Sequence, residues 1–307
     1  MRLRWEATRI RIPSPRRVAV CAAIVLTVIV GASRAQAQVG QRNFIEPLVT
    51  EDSDPSNELE LQPQWYKSRT GNTYSVLFSQ EKTLSENLSL EIGDQFNQVS
   101  PRKGGDARGL GALELLPKWT FFTSVEHELR FALGGNFFVP VGDLDAGAPS
   151  HTRGGPELTY EKGMGDLPNR GVMLYLRPFA FLGDFAYLPT WGGPENGQFL
   201  ADFCLSYQFY YLRDSGVALP LSSFMSRLGP FVEFDWQQIA VGQRFNTPPD
   251  FRVTPALAYD TGWSQLTIGT QVALSHQASQ NDQAAVIFLL DVYMDQLFPR
   301  VFNWTPL

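Results

Sequence analysis

The sequence feature that most constrains the fold is an alternation of apolar with polar or small residues that recurs along most of the chain. It is clearest at residues 128–139, which read ELRFALGGNFFV. Side chains of a β-strand point alternately to its two faces, so this spacing predicts strands with one apolar and one polar face. A helix would require a period of 3.6 residues instead.

Eleven such segments, separated by turn residues, follow one another from residue 72 onwards. Many have twelve or more residues, whereas a strand of a soluble protein typically has about five or six. Membrane barrels of bacteria have an even number of antiparallel strands, so we predict an all-β fold, a closed antiparallel transmembrane β-barrel of about 12 strands. Ten and fourteen strands stay open. The predicted strands are 72–83, 86–97, 107–119, 126–139, 156–163, 171–188, 198–212, 228–240, 250–260, 263–276 and 284–296.

A soluble sandwich has the same periodicity, and other features favour the membrane barrel. Tyr and Trp gather near the ends of the segments, as at Trp119, Tyr187 and Trp263, and these residues favour membrane interfaces. Core packing is the alternative explanation for any one of them. The connections differ in length: 85–86 and 261–262 are short, 142–155 and 189–197 are long, and 277–283 is intermediate. Barrels with short turns on one side and longer loops on the other show such an alternation, which is imperfect here.

The N-terminus has the features of an export signal. Six arginines precede an apolar run of thirteen residues, Val18–Val30, and Ala35 and Ala37 are small residues suited to cleavage. We interpret residues 1–37 as a signal peptide that is cleaved after Ala37. A membrane anchor is the alternative, but a spanning helix needs about 20 apolar residues.

After the predicted cleavage the chain divides into two parts, a flexible N-terminal lead-in at residues 38–71 and the barrel at residues 72–307. Cleavage would remove seven Arg and one Glu, leaving 18 of 25 basic and 30 of 31 acidic residues, a net charge near −12. An acidic chain has no electrostatic case for binding nucleic acid. Cys204 would be the single cysteine left, which excludes an intramolecular disulfide.

The sequence carries no motif for a phosphate loop, a dinucleotide site, a nucleophile elbow or a paired-cysteine metal site. The three histidines, His127, His151 and His276, lie far apart and lack metal-ligand spacing. We therefore predict no catalytic residue, no metal and no cofactor. A barrel-embedded lipolytic enzyme is the less favoured alternative, with Ser124 close to His127 as its nearest approach to a catalytic pair.

Charged residues on the polar faces are the candidates for lining the lumen. They would either line a narrow conduit or fill the barrel with salt bridges, and both interpretations stay open. Glu157 and Lys162 have opposite parity, so in a regular strand only one of them points inward. The pore-lining candidates are Glu128, Arg130, Glu157, Lys162, Arg177, Asp202, Glu233, Asp235 and Asp291.

Several stretches of the second half resemble one known family. They are GDLPNRGVMLYLRPFAFLGDFAY at 165–187, LSYQFYYL at 205–212, GPFVEF at 229–234, RVTPALAYDTGWSQLTIGTQVAL at 252–274 and FLLDVYMDQLFP at 288–299. They resemble the bacterial outer-membrane proteins known as the MetA-pathway-of-phenol-degradation or transporter-type family. The resemblance implies an outer-membrane barrel and uptake of hydrophobic or aromatic compounds.

Together these features predict a channel or transporter-like protein in the outer membrane of a Gram-negative cell, and not an enzyme. The expected partners are outer-membrane lipid, the barrel-insertion machinery and a small hydrophobic solute. A barrel with a plugged lumen and a structural or binding role is the main alternative, and a soluble periplasmic β-protein is another.

Overall fold

The computed structural model describes residues 44–193, 197–214, 221–239, 247–302 and 304–306. The predicted signal peptide, residues 1–37, lies outside the described residues. The strands are β1 Glu58–Ser68, β2 Gly71–Ser85, β3 Leu88–Pro101, β4 Ala107–Leu110, β5 Leu113–Ser124, β6 Leu129–Val139, β7 Arg153–Gly163, β8 Phe179–Leu188, β9 Gln198–Tyr207, β10 Leu228–Ile239, β11 Asp250–Asp260, β12 Ser264–Ala273 and β13 Asp282–Tyr293.

The strands form one antiparallel sheet that closes on itself. Each pairs with its neighbours in chain order, and β1 pairs with both β2 and β13, which closes the ring. The short β4 and the longer β5 pair with successive parts of β3 and act as one interrupted strand. The prediction of a closed antiparallel barrel with about 12 strands is therefore confirmed.

The barrel is apolar outside and polar inside. On β12, Leu266 and Ile268 are each 48% exposed, whereas Gln265 and Thr267 between them are 1% and 4% exposed. A water-soluble sheet turns its apolar face inward, so this barrel has the reverse arrangement, which suits hydrocarbon outside and polar groups within. Apart from Ala107–Leu110, the strands have 10 to 15 residues, enough for the roughly 9–11 that cross a bilayer.

All eleven predicted strands are present, and the twelfth is β1, which lies in the region predicted as a lead-in. The barrel thus begins at Glu58 and not at residue 72. The sequence of β1, ELELQPQWYKS, alternates like the others. The acidic stretch in front of β1 is typical of a flexible segment, and this is the reason for predicting that residues 38–71 as a whole are flexible.

Four predicted strands extend into helices; 263–276 reaches the first residue of the helix His276–Asn281, and 284–296 enters the helix Met294–Leu297. Residues 171–188 include the helix Val172–Leu176, and residues 198–212 run into the helix Phe209–Asp214. Pro178 precedes β8 and has no N–H group to continue the strand pairing. The remaining helices are Leu144–Ala146 and Met225–Arg227, both of the 3-10 type, and Pro299–Phe302.

Strand directions define two rims. The end where β1 begins and β13 ends is named the terminal rim here, and the other end the opposite rim. The short connections at 85–86 and 261–262 both lie at the terminal rim, but the connections after Gly163 and Tyr207, also at this rim, are long. The predicted separation of short and long connections is therefore only partial. Within the described part of the chain, no helix has the length and apolar character needed to cross a membrane.

Candidate functional site

The lumen contains a segment of the chain itself. Residues 44–57, named the plug, precede β1, and β1 starts at the terminal rim. Ile45 and Leu48 of the plug are 1% and 6% exposed and pack among side chains from five barrel strands. Ile45 lies beside Gly229, the second residue of β10, and Glu58 continues the plug as the first residue of β1, so both ends of the plug lie at the terminal rim. It therefore forms a loop inside the barrel.

The middle of the plug is held by one carboxylate of the wall. Glu233 on β10 accepts hydrogen bonds from the backbone N–H groups of three consecutive plug residues, Leu48 at 3.2 Å and Val49 and Thr50 at 2.9 Å. Glu233 is fully buried. Successive N–H groups that converge on one anion form a concave site of the kind that binds anionic groups, and hydrogen bonds to an ionised acceptor are the strong ones.

Other wall carboxylates bind the returning part of the plug. The N–H of Glu51 donates to Asp184 at 2.9 Å, and the N–H of Ser53 donates to Glu161 at 3.3 Å. The N–H of Ser56 donates to Glu81 at 3.2 Å. The backbone N–H groups of the plug thus donate hydrogen bonds to side chains on several strands, and the plug does not join the sheet.

Two basic side chains of the wall bind the acidic side chains of the plug. Lys118 on β5, only 4% exposed, pairs with Glu51 at 2.9 Å, with Asp52, and with Glu81 on β2 at 3.3 Å. The three carboxylates surround one ammonium group, so the plug and two barrel strands share the same positive charge. Removing one partner of such a buried ion pair costs more stability than the intact pair contributes, because the remaining charge is left buried without a partner.

Arg130 on β6 makes the second contact. Its guanidinium group lies 2.7 Å from Asp54 of the plug and 3.3 Å from Glu161 on β7. Its guanidinium carbon also lies 6.0 Å from the ring centre of Phe44. Burial raises the pKa of Asp54 to about 6, although the charge of Arg130 acts in the opposite direction.

An apolar patch of the wall receives the two apolar plug residues. Two glycines leave room for them, because a Cβ atom at Gly229 would lie 2.5 Å from Ile45 Cδ1 and one at Gly269 would collide with Leu48 Cδ1. The wall residues of the patch are Ala180, Leu182, Cys204, Phe231, Ala258, Ala285, Ile287 and Leu289.

The rest of the lumen is strongly acidic. Asp184, Asp202 and Asp235 lie directly opposite one another on β8, β9 and β10, and Arg252 on β11 continues the row. Arg252 forms an ion pair with Asp250 at 2.9 Å. Among the described buried residues the acidic side chains, Asp52, Glu58, Glu81, Asp94, Glu157, Glu161, Asp184, Asp202, Glu233, Asp235, Asp250 and Asp291, outnumber the basic Lys82, Lys118, Arg130 and Arg252.

Six of the nine pore-lining candidates lie on the lumen side of the barrel strands. They are all less than 9% exposed and alternate with outward apolar residues, as the periodicity implies. The six are Arg130, Glu157, Asp202, Glu233, Asp235 and Asp291.

The other three candidates lie at the terminal rim and do not line the lumen between the strands. Glu128 is in the turn before β6, where it accepts hydrogen bonds from Tyr211 and from the N–H of Gly165, each at 2.8 Å. Arg177 is in the connection before β8 and donates to the carbonyl of Leu167 at 2.7 Å. Lys162 is the penultimate residue of β7 and, as its spacing from Glu157 predicts, lies on the opposite face of the strand. Its ammonium group lies 3.1 Å from a carboxylate oxygen of Asp166.

Of the wall residues that hold the plug, Arg130 and Glu233 were candidates from the sequence, whereas four others were not. Glu81, Lys118, Glu161 and Asp184 share the alternating polar face of their strands, so the same parity rule locates them in the lumen. Their partners in the plug had no signal, because residues 44–57 follow neither the period of a strand nor that of a helix.

A cavity of about 410 Å³ lies at the terminal rim beside the plug. Plug residues from Phe44 to Asn57 form one side of it, and Phe302 and Trp304 near the C-terminus form another. Arg130 and Glu161 also border it. The cavity therefore lies between the plug, the barrel wall and the C-terminal segment.

The proposed Ser–His pair is not formed. His127 is exposed and its Nδ1 lies 3.4 Å from Asp166, and among the described residues no hydrogen bond joins it to Ser124.

Comparisons with solved structures give matches to outer-membrane barrels. The COG4313 outer membrane channel from Pseudomonas putida F1 is 11% identical, and the match covers 81% of this chain and 99% of that one with a TM-score of 0.53. The NanC porin matches at 9% identity over 76% and 98% of the two chains with a TM-score of 0.47. LpxR from Salmonella typhimurium matches at 9% identity over 77% and 99% with a TM-score of 0.43.

A scan against protein-family models finds no match, and a search of curated proteins finds no relative. At 11% identity the likeness to the Pseudomonas putida channel is one of fold. The resemblance to the MetA-pathway family stays a prediction, and the chain shares the closed β-barrel fold of a solved outer membrane channel.

Proposed function

We propose that this protein is a channel of the Gram-negative outer membrane whose lumen the plug closes and whose opening requires the plug to leave. The observation that supports this proposal best is the way the plug is bound. Its backbone donates to wall carboxylates such as Glu233 and Asp184, and it takes no part in the sheet. The barrel can therefore keep its sheet intact when the plug is released.

The proposed solute is small, carries a positive charge and has an apolar part. Release of the plug would uncover an apolar patch that includes Leu182 and Phe231, and each of these residues is followed two positions later on the same face by a carboxylate, Asp184 or Glu233. An acidic lumen attracts cations and disfavours anions. This proposal adds a positive charge to the hydrophobic or aromatic solute that the family resemblance implies.

Export by cleavage of residues 1–37 and insertion by the barrel-insertion machinery belong to the same proposal. The apolar outer surface of the barrel supports residence in lipid. The closed sheet supports it as well, because each unpaired backbone group in hydrocarbon would cost free energy. Detergent extraction of the protein from an outer-membrane fraction, with an N-terminus at Gln38, is the expected result.

A reversible crosslink between plug and wall tests the proposed gating. Ile45 Cγ1 would lie 3.3 Å from a Cβ atom at Gly229, which is suitable for a disulfide after Ile45→Cys and Gly229→Cys. Cys204→Ala removes the competing thiol. In planar bilayers we expect the oxidised double variant to be silent and a reducing agent to restore ion currents.

The single variants Ile45→Cys and Gly229→Cys serve as controls and should conduct with or without the reductant. A variant that lacks residues 44–57 should conduct continuously. If that variant folds into a barrel but carries no current, the lumen is not a conduit and the structural, plugged barrel is the better description.

A further inference from the structure

A cluster of carboxylates lies where the plug meets the seam between the first and the last strand. Glu46 of the plug and Glu58 and Glu60 of β1 each contribute a carboxylate oxygen, and these oxygens all lie within 4.8 Å of one another. Glu58 is 6% exposed, and the other two are partly buried. Burial, followed by the charges of nearby carboxylates including Asp52, raises the pKa of Glu46 well above its usual range.

Asp291 supplies an independent observation. It lies directly opposite Glu60 in the pairing of β13 with β1, so its side chain is on the same inward face. Asp291 is fully buried, and neither of its carboxylate oxygens has a hydrogen-bond partner. A buried carboxylate is strongly destabilised in its charged form unless a counter-charge or donors surround it. Within the described part of the chain, no lysine or arginine forms an ion pair with any of these four carboxylates.

We propose that Glu46, Glu58, Glu60 and Asp291 form a binding site for a calcium ion. Calcium binds six to eight oxygen ligands at about 2.3–2.6 Å, so ligands on opposite sides of the ion are roughly 4.6–5.2 Å apart. The carboxylate oxygens of Glu46, Glu58 and Glu60, all within 4.8 Å of one another, are close enough to bind one such ion together. Magnesium requires a tighter octahedral shell and retains several waters, which makes a site of several carboxylates more suitable for calcium.

The wall positions the plug ligand for this role. Gln265 on β12 accepts a hydrogen bond from the N–H of Glu46 at 3.1 Å and donates one to its carbonyl at 2.7 Å. Gln265 lies opposite Asp291, and Asp291 lies opposite Glu60, so three neighbouring strands bring these groups to one level of the barrel. Glu46 and Glu58 also border the cavity at the terminal rim, which gives an ion a route to the site.

A bound calcium ion would join the plug to both strands of the seam. One ligand comes from the plug, two come from β1 and one comes from β13. The site goes beyond the proposed channel function and does not depend on it, because ion binding can be measured on the protein in detergent whether or not it conducts.

Titration calorimetry with calcium chloride tests the site on the full-length protein in detergent after treatment with a chelator. We expect saturable binding of one calcium ion per chain, at least tenfold weaker in Asp291→Asn and in Glu46→Gln. Glu157→Gln, which changes a lumen carboxylate on β7, should bind calcium like the unchanged protein.

The proposal is overturned if the unchanged protein shows no saturable calcium binding up to millimolar concentration, or if Glu46→Gln binds calcium as tightly as it does. Glu46 lies outside the strands, so this variant decides the matter even where Asp291→Asn fails to fold. Magnesium chloride is the competitor, and equal affinity for both ions would overturn the assignment to calcium.

Discussion

Glu233 and Thr50 lie 183 positions apart in the chain, yet a carboxylate oxygen of Glu233 accepts the backbone N–H of Thr50 at 2.9 Å. The same carboxylate accepts the N–H groups of Leu48 and Val49. One wall side chain therefore holds three consecutive residues of the plug.

Replacing this carboxylate by an amide should loosen the plug. Glu233→Gln keeps the size of the side chain but substitutes an NH₂ group for one acceptor oxygen and removes the charge. A loss of about 2 kcal/mol in plug binding, or a roughly 30-fold rise in the ratio of open to closed channel, is the expected effect. Single-channel recording measures this ratio. Glu157→Gln is the matched control, and an equal effect of both variants would contradict a specific role of Glu233.

Lys118 offers a second way to release the plug. In Lys118→Met the carboxylates of Glu51, Asp52 and Glu81 lose their shared cation. Breaking a buried ion pair by removing one partner costs about 3–5 kcal/mol. We expect a protease that cuts after glutamate to cleave the plug of this variant rapidly in detergent. Lys118→Arg retains the charge and should remain largely protected.

The plug should bind less tightly as the pH rises from about 4 to about 6. Burial raises the pKa of Asp54 to about 6 in the bound plug, whereas the released plug has an ordinary aspartate. The bound state therefore holds a proton that the released state gives up in this range, so binding is strongest below it and weakens as the pH increases. Channel activity recorded from pH 4 to 7 should rise, and Asp54→Asn should make the rise smaller. A fall in activity with increasing pH would contradict this assignment.

The outer surface can be tested separately from the lumen. Ile268 lies at the middle of β12 and is 48% exposed on the apolar side. An arginine at a lipid-facing midplane position costs roughly 2–4 kcal/mol, so Ile268→Arg should fold less stably into lipid vesicles. Urea titration of the folded fraction measures the change. Ile268→Ala shows how much of it comes from lost apolar area alone, and equal stability of the two variants would argue against contact with lipid.

The sequence predicted the barrel well because one local rule, the two-residue period, decides which face each strand residue occupies. That rule located Arg130 and Glu233 in the lumen without any knowledge of their partners. It also applies to β1, although the acidic residues before that strand are typical of a mobile segment. Rim residues such as Arg177 lie beyond the strands, where parity has no meaning.

The plug was not predictable in this way. Its contacts join residues that are far apart in the chain, as in the pair of Leu48 with Glu233, and its own sequence has no period. The proposed calcium site has no sequence signal for a related reason. It lacks histidine and cysteine at metal-ligand spacing, and Glu46 and Asp291 are brought together only when the first and last strands close the barrel.

The direct covalent link between the plug and β1 has a consequence for how fast the lumen recloses. A released plug stays tethered at Glu58, so its return is an intramolecular step with a rate that does not depend on protein concentration. Short flexible tethers give effective concentrations in the millimolar range. A free peptide with the sequence of residues 44–57 would have to reach such concentrations before it could compete for the same lumen.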